Sequence, residues 1–348
     1  METKQKPKKL LRKQLIMRKV LLALLPCVAG SIYFFGWRTL FIILWAALIG
    51  FVVEYIFTRK RGEPVTESVF VTTTLFALIM PSTIPVHILT IGVVFAVMFS
   101  KEIFGGFGRN IFNPAMAGRC FVYVCFPVAL TASWAPAAEG FYGALDSWST
   151  VNNVDTLTSA TPMSYLKDGR LVLDSGNSAS STIPFDLSEG DSINLKRGAL
   201  LKGLLFGRIS GTMGVTSAIL IFIGGAYLFV TKTASREIIL SLIITYGVLN
   251  QVLFWFGVEP VPGAWPAVLG GGFLFGAFYM ATDPISAPNT KEAKILYGIL
   301  IGTCTLVIRN FSIFNGGLMF SILIGNMFSP IIDYGVRTFK AAKVKNDT

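Results

Sequence analysis

The sequence predicts an all-α integral membrane protein with ten transmembrane helices, divided by a polar loop into two halves of five. Three observations lead to this fold class. Of the 348 residues, 53% are hydrophobic and only 14% are charged, and the mean hydropathy is +0.64, which is unusual for a soluble domain. Apolar segments recur along the chain, and short motifs of the first half return in the second.

The apolar segments define the predicted helices. A hydrocarbon core of about 30 Å requires roughly 20 helical residues, or fewer where neighbouring segments bury the helix. Several segments are short or interrupted by glycine, which is typical of backbone that lines a site within the membrane. The ten predicted spans are 20–35, 40–57, 68–80, 86–99, 115–130, 215–230, 238–256, 266–281, 295–308 and 317–334.

The basic residues predict the orientation of these helices. If residues 1–19 form a basic cytoplasmic N-terminus, the lysines and arginines that follow every second span also lie in the cytoplasm. The turns on the opposite side carry only Arg38 and Arg309. We therefore predict a multi-pass protein of the bacterial inner membrane. Its parts are a repeat at 20–130, a periplasmic loop at 131–214, a second repeat at 215–334 and a basic cytoplasmic tail at 335–348.

Matching motifs predict that the two halves are related. The sequence Leu-Phe-Ala at 75–77 returns as Leu-Phe-Gly at 274–276, and Asn-Ile-Phe-Asn-Pro at 110–114 returns as Asn-Met-Phe-Ser-Pro at 326–330. Because each half has an odd number of spans, the second copy inserts upside down. Such an inverted repeat places a site near the membrane midplane. Chance similarity in a chain rich in phenylalanine and glycine is the alternative explanation.

Charge and residue usage exclude two classes of function. The net charge is +11, but the cations flank apolar spans and form no basic surface for nucleic acid, so no nucleic-acid partner is expected. The four cysteines lack CxxC spacing, which favours a packing role. His87 is the single histidine, and this argues against a haem or metal site built from several histidines.

The polar loop contains the first candidate site. Residues 154–163 are rich in small side chains and hydroxyl groups, and the hydroxyl of Thr161 is able to carry a phosphoester. Local sequence alone favours another interpretation. In that interpretation Thr161 is an ordinary helix N-cap and Pro162 is the first residue of a short helix that continues to Leu166.

The second candidate site lies between the fourth and fifth predicted spans. Here Gly105 and Gly106 allow the backbone to turn tightly and approach a ligand, while Asn110 and Asn113 offer amide donors and acceptors for a heteroaromatic edge. A glycine-rich packing turn between two helices is the alternative.

Acidic residues near the ends of spans are candidates for an ion pathway. The candidates are Asp283, Asp333 and Glu102, and Glu54 and Glu67 pose the same choice. A carboxylate at such a position is either solvated at the membrane interface or in contact with the transported cation. The sequence does not separate these two roles.

Several motifs resemble one known family. Residues 155–161 resemble a flavinylation motif in which FMN is joined through its phosphate to the final threonine. Residues 101–119, 211–228, 280–287 and 297–333 are similar to NqrB, a membrane component of the sodium-translocating NADH:quinone oxidoreductase. They are also similar to its homologue RnfD of the Rnf complex. The resemblance covers roughly residues 15–335, and residues 280–287 and 297–302 look more like NqrB.

The resemblance implies two flavins. One is FMN, joined covalently to Thr161 within a motif that includes Asp155, Ser159 and Ala160. The other is riboflavin, held without a covalent bond among the helices by Asn110, Asn113, Gly105 and Gly106. The motif departs from the family pattern at Ser159, where glycine is usual, and at Thr156, where a small residue is usual.

The resemblance also implies a function and a set of partners. The chain would pass electrons from NADH, through partner subunits of a six-subunit complex, towards quinone while Na⁺ crosses the membrane. A flavin transferase would attach the FMN. One alternative is an RnfD-type component of a ferredoxin:NAD⁺ oxidoreductase that pumps Na⁺ or H⁺. Another is a passive channel or transporter, which an inverted repeat suits equally well.

Overall fold

The structure is a computed structural model that describes residues 10–138, 140–151, 161–174, 180–181, 183, 192–314 and 316–346. This part of the chain is mostly helical. The helices are α1 (Leu15–Phe35), α2 (Arg38–Arg61), α3 (Ser68–Leu78), α4 (Val86–Val97), α5 (Pro114–Cys125), α6 (Pro127–Thr131), α7 (Pro162–Lys167), α8 (Arg197–Phe206), α9 (Ala218–Val230), α10 (Arg236–Trp255), α11 (Ala264–Leu269), α12 (Phe273–Phe275), α13 (Lys291–Phe311) and α14 (Gly317–Asn346). The strands are β1 (Leu11–Arg12), β2 (Val65–Thr66), β3 (Leu171–Asp174) and β4 (Ile193–Lys196).

Five of these helices are long and apolar enough to cross a membrane, namely α1, α2, α10, α13 and α14. Helices α3 and α9 are apolar but shorter. Each of the ten predicted segments contains helix in the described residues. Together these helices support a multi-pass membrane protein, in agreement with the composition.

Two predicted segments are not regular α-helices. Helix α4 continues into a π-helical turn, Met98–Glu102. The segment predicted as one span at 266–281 consists of α11, α12 and a π-helical turn, Gly276–Met280. It breaks between α11 and α12, where Gly271 and Gly272 have φ of +56° and +74°. These φ values disfavour residues with a Cβ, which explains why the helix stops at glycines.

The helices of both halves contribute to one large apolar core. In the first half α2 packs on α3 and α4, and α4 packs on α5; in the second half α10 packs on α11 and α13, and α13 packs on α14. The halves meet where α1 crosses α9. Gly224 allows this close approach, because a Cβ there would lie 1.9 Å from the Ala23 carbonyl oxygen. The Tyr279 hydroxyl also donates to that oxygen at 3.0 Å.

The turns between helices gather at two ends of the molecule. At one end, which we name the basic end, ion pairs join Arg18 to Glu67 and Arg61 to Glu102. At the other, the insertion end, the predicted periplasmic turns contact residues of the 131–214 insertion. Those contacts include Arg38 N donating to Trp148 O at 2.8 Å, Thr83 Oγ1 donating to Ser133 O and Lys167 Nζ donating to Ser312 O.

The described part of the insertion contains a small folded unit, and it is not simply the polar loop that its composition suggests. Strands β3 and β4 pair in parallel, with Leu171 opposite Ile193 and Asp174 opposite Lys196. Tyr165, Leu171 and residues of β4 and α8 form a second apolar cluster beneath them. Helix α7 belongs to this unit, which therefore fixes the position of Thr161.

Candidate functional site

Thr161 is the N-cap of α7, as the local sequence predicts. Its φ and ψ are −74° and 153°, and its side-chain oxygen accepts from Ser164 N at 3.3 Å. The two hydroxyl oxygens of Thr161 and Ser164 also lie 3.1 Å apart. Pro162 occupies the first helical position, where its fixed φ suits the helix and its missing N–H costs nothing. The hydroxyl of Thr161 is thus held in one direction by its own helix.

Thr161 lines a cleft between the two halves at the insertion end, which we name the outer cleft. About 1000 Å³ of this cleft is not filled by protein atoms, a volume that includes open solvent at its mouth. Its apolar lining includes three aromatic and three methionine side chains: Met116, Tyr123, Trp134, Phe275, Met280 and Met319.

Two arginines also line the outer cleft. Arg309, at the end of α13, is only 8% exposed; its Nη1 donates to Tyr246 Oη at 3.2 Å and to Ala267 O at 3.3 Å. Its Nη2 is buried and has no hydrogen-bond partner in the described part of the chain. The same holds for Nε of Arg119, on α5. A buried N–H without an acceptor is costly, and both atoms are able to donate to an anionic or polar group in the cleft.

The backbone makes room for Arg309. A Cβ built on Gly271 would lie 1.8 Å from Arg309 Nη2, a distance at which the two groups cannot coexist. Gly271 and Arg309 line a second, smaller cavity as well, and Thr161 and Ser164 line it with them. Thr161 and Arg309 therefore border the same space from opposite elements of the fold.

A third cation lies beside this space. The Lys167 ammonium, at the end of α7, donates to the Ser312 carbonyl oxygen just after α13. Burial, together with the nearby charge of Arg309, lowers the pKa of Lys167 against the opposing effect of Asp168. The outer cleft is thus a region of positive potential. Among the described residues, none of the ion pairs to carboxylates involves Arg119, Lys167 or Arg309.

The second candidate site forms a separate cavity of about 700 Å³ towards the basic end, which we name the inner cavity. The structure brings Asn110, Asn113 and Asp283 together in its wall. Asn113 caps α5, because its Oδ1 accepts from Ala115 N at 3.0 Å, and its Nδ2 donates to Met280 O at 3.2 Å. Asn113 therefore contacts the second half of the chain directly.

Gly105 and Gly106 have a different role. Both have positive φ, of +103° and +93°. A Cβ on Gly105 would meet the Arg109 side chain, and one on Gly106 would meet Arg61. The described lining of the inner cavity includes neither glycine. They shape the turn that carries Asn110, while the prediction that they contact a ligand remains a prediction.

A buried ion pair lies beside the inner cavity. Lys101 lines it and donates from Nζ to Glu54 Oε2 at 2.5 Å, to Thr66 Oγ1 at 2.9 Å and to Ser68 Oγ at 2.9 Å. The Glu54 side chain is fully buried and the Lys101 side chain is 2% exposed. All three ammonium protons are therefore satisfied within the protein, and the charge is neutralised there.

A thin wall separates the two cavities. Asn113 lines the inner cavity, and Met116, one helical turn further along α5, lines the outer cleft. On the opposing segment Tyr279 lines the inner cavity and Met280 the outer cleft. The hydrogen bond from Asn113 to Met280 crosses this wall. One helical turn is about 5.4 Å, so groups bound in the two cavities would lie close together.

The predicted ion-pathway acids lie in different surroundings. Asp283 lines the inner cavity and accepts from Ser286 Oγ at 2.8 Å. Glu102 is paired with Arg61. Asp333 accepts from Asn289 N, Thr290 N and Thr290 Oγ1 at 2.8 to 3.0 Å, and so holds the start of α13. Asp283 shares the inner cavity with both Asn110 and Asn113, whereas Asp333 lines a separate pocket that includes Asn110 but not Asn113.

The remaining predicted residues, Asp155, Ser159 and Ala160, lie outside the described residues. In contrast, the structure adds Arg119 to the site and changes the interpretation of Arg309, which the sequence assigns to a turn. The available signal was a charged residue inside or at the end of an apolar span, a position that is usually functional.

One family of known proteins matches almost the whole chain. Residues 8–341 match the model of the NQR2, RnfD, RnfE family. The chain belongs to this family. It is 35% identical over 315 residues to the NqrB component of the Na(+)-translocating NADH-quinone reductase of Chromohalobacter salexigens, with 88% of this chain and 66% of that protein covered.

Relatives from a second type of complex are equally similar. The chain is 32% identical over 328 residues to the RnfD component of the ion-translocating oxidoreductase complex of Alcanivorax borkumensis, and 91% of this chain and 89% of the relative are covered. The corresponding protein of Shewanella amazonensis is 33% identical over 333 residues, with 92% of each chain covered. The chain thus spans about two thirds of the length of the NqrB relatives and nine tenths of the length of the RnfD relatives.

Proposed function

We propose that the chain is the flavin-carrying membrane component of a redox-driven ion pump. In this role it passes electrons from NADH, through partner subunits, towards quinone while Na⁺ crosses the membrane. The names of its relatives support an ion-translocating oxidoreductase. The observation that carries the flavin assignment is the outer cleft, where a hydroxyl with a fixed direction shares one space with buried, unpaired arginine nitrogens.

The residues of the outer cleft fit FMN joined through its phosphate to Thr161. The phosphoester is an anion, and the cations of the cleft lack a carboxylate partner among the described residues. The aromatic and methionine lining suits a flat heteroaromatic ring. The capping bond from Ser164 uses Thr161 Oγ1 as an acceptor, and an ester oxygen can still accept. A bound flavin supplies the electron transfer, and the chain supplies its position and electrostatics.

The residues of the inner cavity suit a flavin that lacks a phosphate, such as riboflavin. The amides of Asn110 and Asn113 can donate to and accept from a ring edge. The cation of this cavity, Lys101, is already neutralised by Glu54, so no positive charge is left for a phosphate. The thin wall at Asn113 and Met280 would keep the two flavins near enough for electrons to pass between them.

Equivalent packing supports the inverted repeat of ten spans. In the first half α2 contacts α3 and α4, and α4 contacts α5; in the second half α10 contacts α11 and α13, and α13 contacts α14. The two halves also meet through their first helices, α1 and α9. With the basic end in the cytoplasm of a bacterial inner membrane, both termini are cytoplasmic and the outer cleft opens to the periplasm.

The two candidate types of complex differ in their electron donor, so an assay of the purified complex distinguishes them. Residues 280–287 and 297–302 favour the NADH:quinone type, and an RnfD-type component of a ferredoxin:NAD⁺ oxidoreductase is the second candidate because relatives of both names are equally similar. The complex purified with its partner subunits should reduce quinone with NADH and respond to Na⁺. Reduction of NAD⁺ by ferredoxin in its place would identify the Rnf type.

Mass spectrometry tests the covalent flavin. The chain is expressed together with a flavin transferase, denatured and digested, and the peptide that contains Thr161 is examined for FMN. The wild-type chain and Thr158→Ala, a change of the neighbouring hydroxyl residue in the same motif, should both retain FMN, while Thr161→Ala should lose it. If FMN is lost in Thr158→Ala and retained in Thr161→Ala, the acceptor is Thr158. A wild-type peptide without FMN would favour a passive transporter.

A further inference from the structure

We infer that Arg309 is the residue that binds the phosphate group of the flavin at Thr161, which makes it a positioning residue of the outer cleft. The inference rests on the proposed function and extends it to a residue that contacts the cofactor. It follows from where Arg309 lies, how it is held and what its guanidinium lacks.

The position of Arg309 meets the first requirement, proximity to the acceptor. Arg309 and Thr161 line the outer cleft together, and they also line the smaller cavity beside it. Lys167 lies on the same short helix as Thr161, and its pKa responds to the charge of Arg309. A phosphate attached to the Thr161 oxygen would therefore enter the space that Arg309 borders.

The hydrogen bonds of Arg309 meet the second requirement, a fixed direction. One terminal nitrogen, Nη1, is held by Tyr246 Oη and Ala267 O, both neutral acceptors. The other, Nη2, is buried without a partner in the part of the chain that the structure describes. The fold thus holds the guanidinium rigidly and leaves one N–H-bearing edge for an external acceptor, and phosphate is an anion that guanidinium groups bind well.

The glycine opposite Arg309 meets the third requirement, space reserved for the side chain. Gly271 cannot carry a Cβ without displacing Nη2, and its φ of +56° also disfavours other residues. Arg119 adds a second unpaired nitrogen in the same cleft, but it does not line the smaller cavity that Thr161 and Arg309 share. Arg309 is therefore the phosphate ligand that the geometry favours.

Binding of free flavins isolates this contact from covalent attachment. In a Thr161→Ala chain, which cannot form the ester, the affinities for FMN and for riboflavin are measured by titration. The ratio of the two dissociation constants reports what the phosphate contributes. A hydrogen bond to a charged group predicts a preference for FMN of about tenfold or more, and adding Arg309→Met should abolish it. Flavin sites away from Arg309 are the same in the chains with and without Arg309→Met, so they do not contribute to the difference between the two ratios.

Arg38→Met is the matched control. Arg38 is also a partly buried arginine at the insertion end, with one unpartnered nitrogen among the described residues, but it donates to Thr83 O and Ile84 O and does not line the outer cleft. In the Thr161→Ala chain, the preference for FMN should be unchanged by Arg38→Met and only partly reduced by Arg309→Lys. An FMN preference that is absent from the Thr161→Ala chain, or unchanged by Arg309→Met, would overturn the inference. Failure to find FMN on wild-type Thr161 would instead overturn the proposed function.

Discussion

The outer cleft and the inner cavity differ in whether their buried cations have partners within the protein. In the inner cavity, Lys101 is paired with Glu54 and makes two further hydrogen bonds to hydroxyl groups. In the outer cleft, Arg309 and Arg119 each keep a buried nitrogen without a partner among the described residues. Both regions are lined by residues of both halves of the chain.

The comparison teaches how to separate a structural charge from a binding charge. In a buried ion pair the two charges neutralise each other. Removing one partner leaves the other charge buried and uncompensated, which is strongly destabilising. A buried cation held by neutral acceptors, with one edge left over, lowers stability until a ligand supplies the missing acceptor. We therefore expect substitutions at the inner cavity to affect stability most, and those at the outer cleft to affect ligand binding.

The largest effect should come from Lys101→Met. The substitution leaves the Glu54 carboxylate buried and unpaired, which costs about 3–5 kcal/mol of unfolding free energy. Thermal unfolding of the purified chain in detergent measures it.

Replacing both partners, as in Glu54→Leu with Lys101→Met, should restore most of the stability, because no unpaired charge remains. Lys340→Met is the control, since Lys340 forms an exposed ion pair with Glu292 and its loss should not be measurable. A single variant that is as stable as the wild type would show that the inner pair is not structural.

Asp333→Asn and Asp283→Asn should separate anchoring from ion movement. Asp333 accepts three hydrogen bonds at the start of α13, so its neutralisation should cost about 2 kcal/mol of stability and leave the Na⁺ dependence of turnover unchanged. Asp283 faces the inner cavity, and its neutralisation should raise the Na⁺ concentration for half-maximal turnover about tenfold.

Turnover is measured on the assembled complex, and stability on the purified chain. The reverse result, with Na⁺ dependence altered by Asp333→Asn and not by Asp283→Asn, would move the ion pathway from the inner cavity to the α13–α14 end.

The smallest expected effect is the difference in stability between two glycine substitutions, Gly271→Ala and Gly257→Ala. The positive φ of Gly271 alone costs about 1–2 kcal/mol for a residue with a Cβ. Gly257→Ala has the same strain, at φ of +67°, with nothing within 4 Å of the new methyl group. The additional destabilisation of Gly271→Ala over Gly257→Ala, about 1 kcal/mol, measures the displacement of the Arg309 guanidinium.

If the two variants unfold at the same temperature, Arg309 does not depend on the space at Gly271. The same pair also tests the outer cleft, because Gly271→Ala should weaken FMN binding and Gly257→Ala should not.

Much of the fold follows from the sequence. The hydropathy pattern predicted ten apolar segments and each of them contains helix, while Thr161 with Pro162 predicted the start of α7. That Asn110 and Asn113 contact a flavin remains a prediction, and the bond from Asn113 to Met280 is a contact that the sequence did not predict. The sequence did not predict the break at Gly271, because a glycine in an apolar run is compatible with either a helix or a turn.

The sequence by itself determined the membrane class and the chemistry that each candidate residue offers, because composition and local pattern depend on neighbouring residues only. The tertiary structure alone decided which charges are satisfied. Lys101 is neutralised by a glutamate 47 residues away, and Arg309 is brought beside Thr161 by α13, a helix of the second half. These contacts are set by how α2, α7 and α13 pack, and no local pattern encodes that packing.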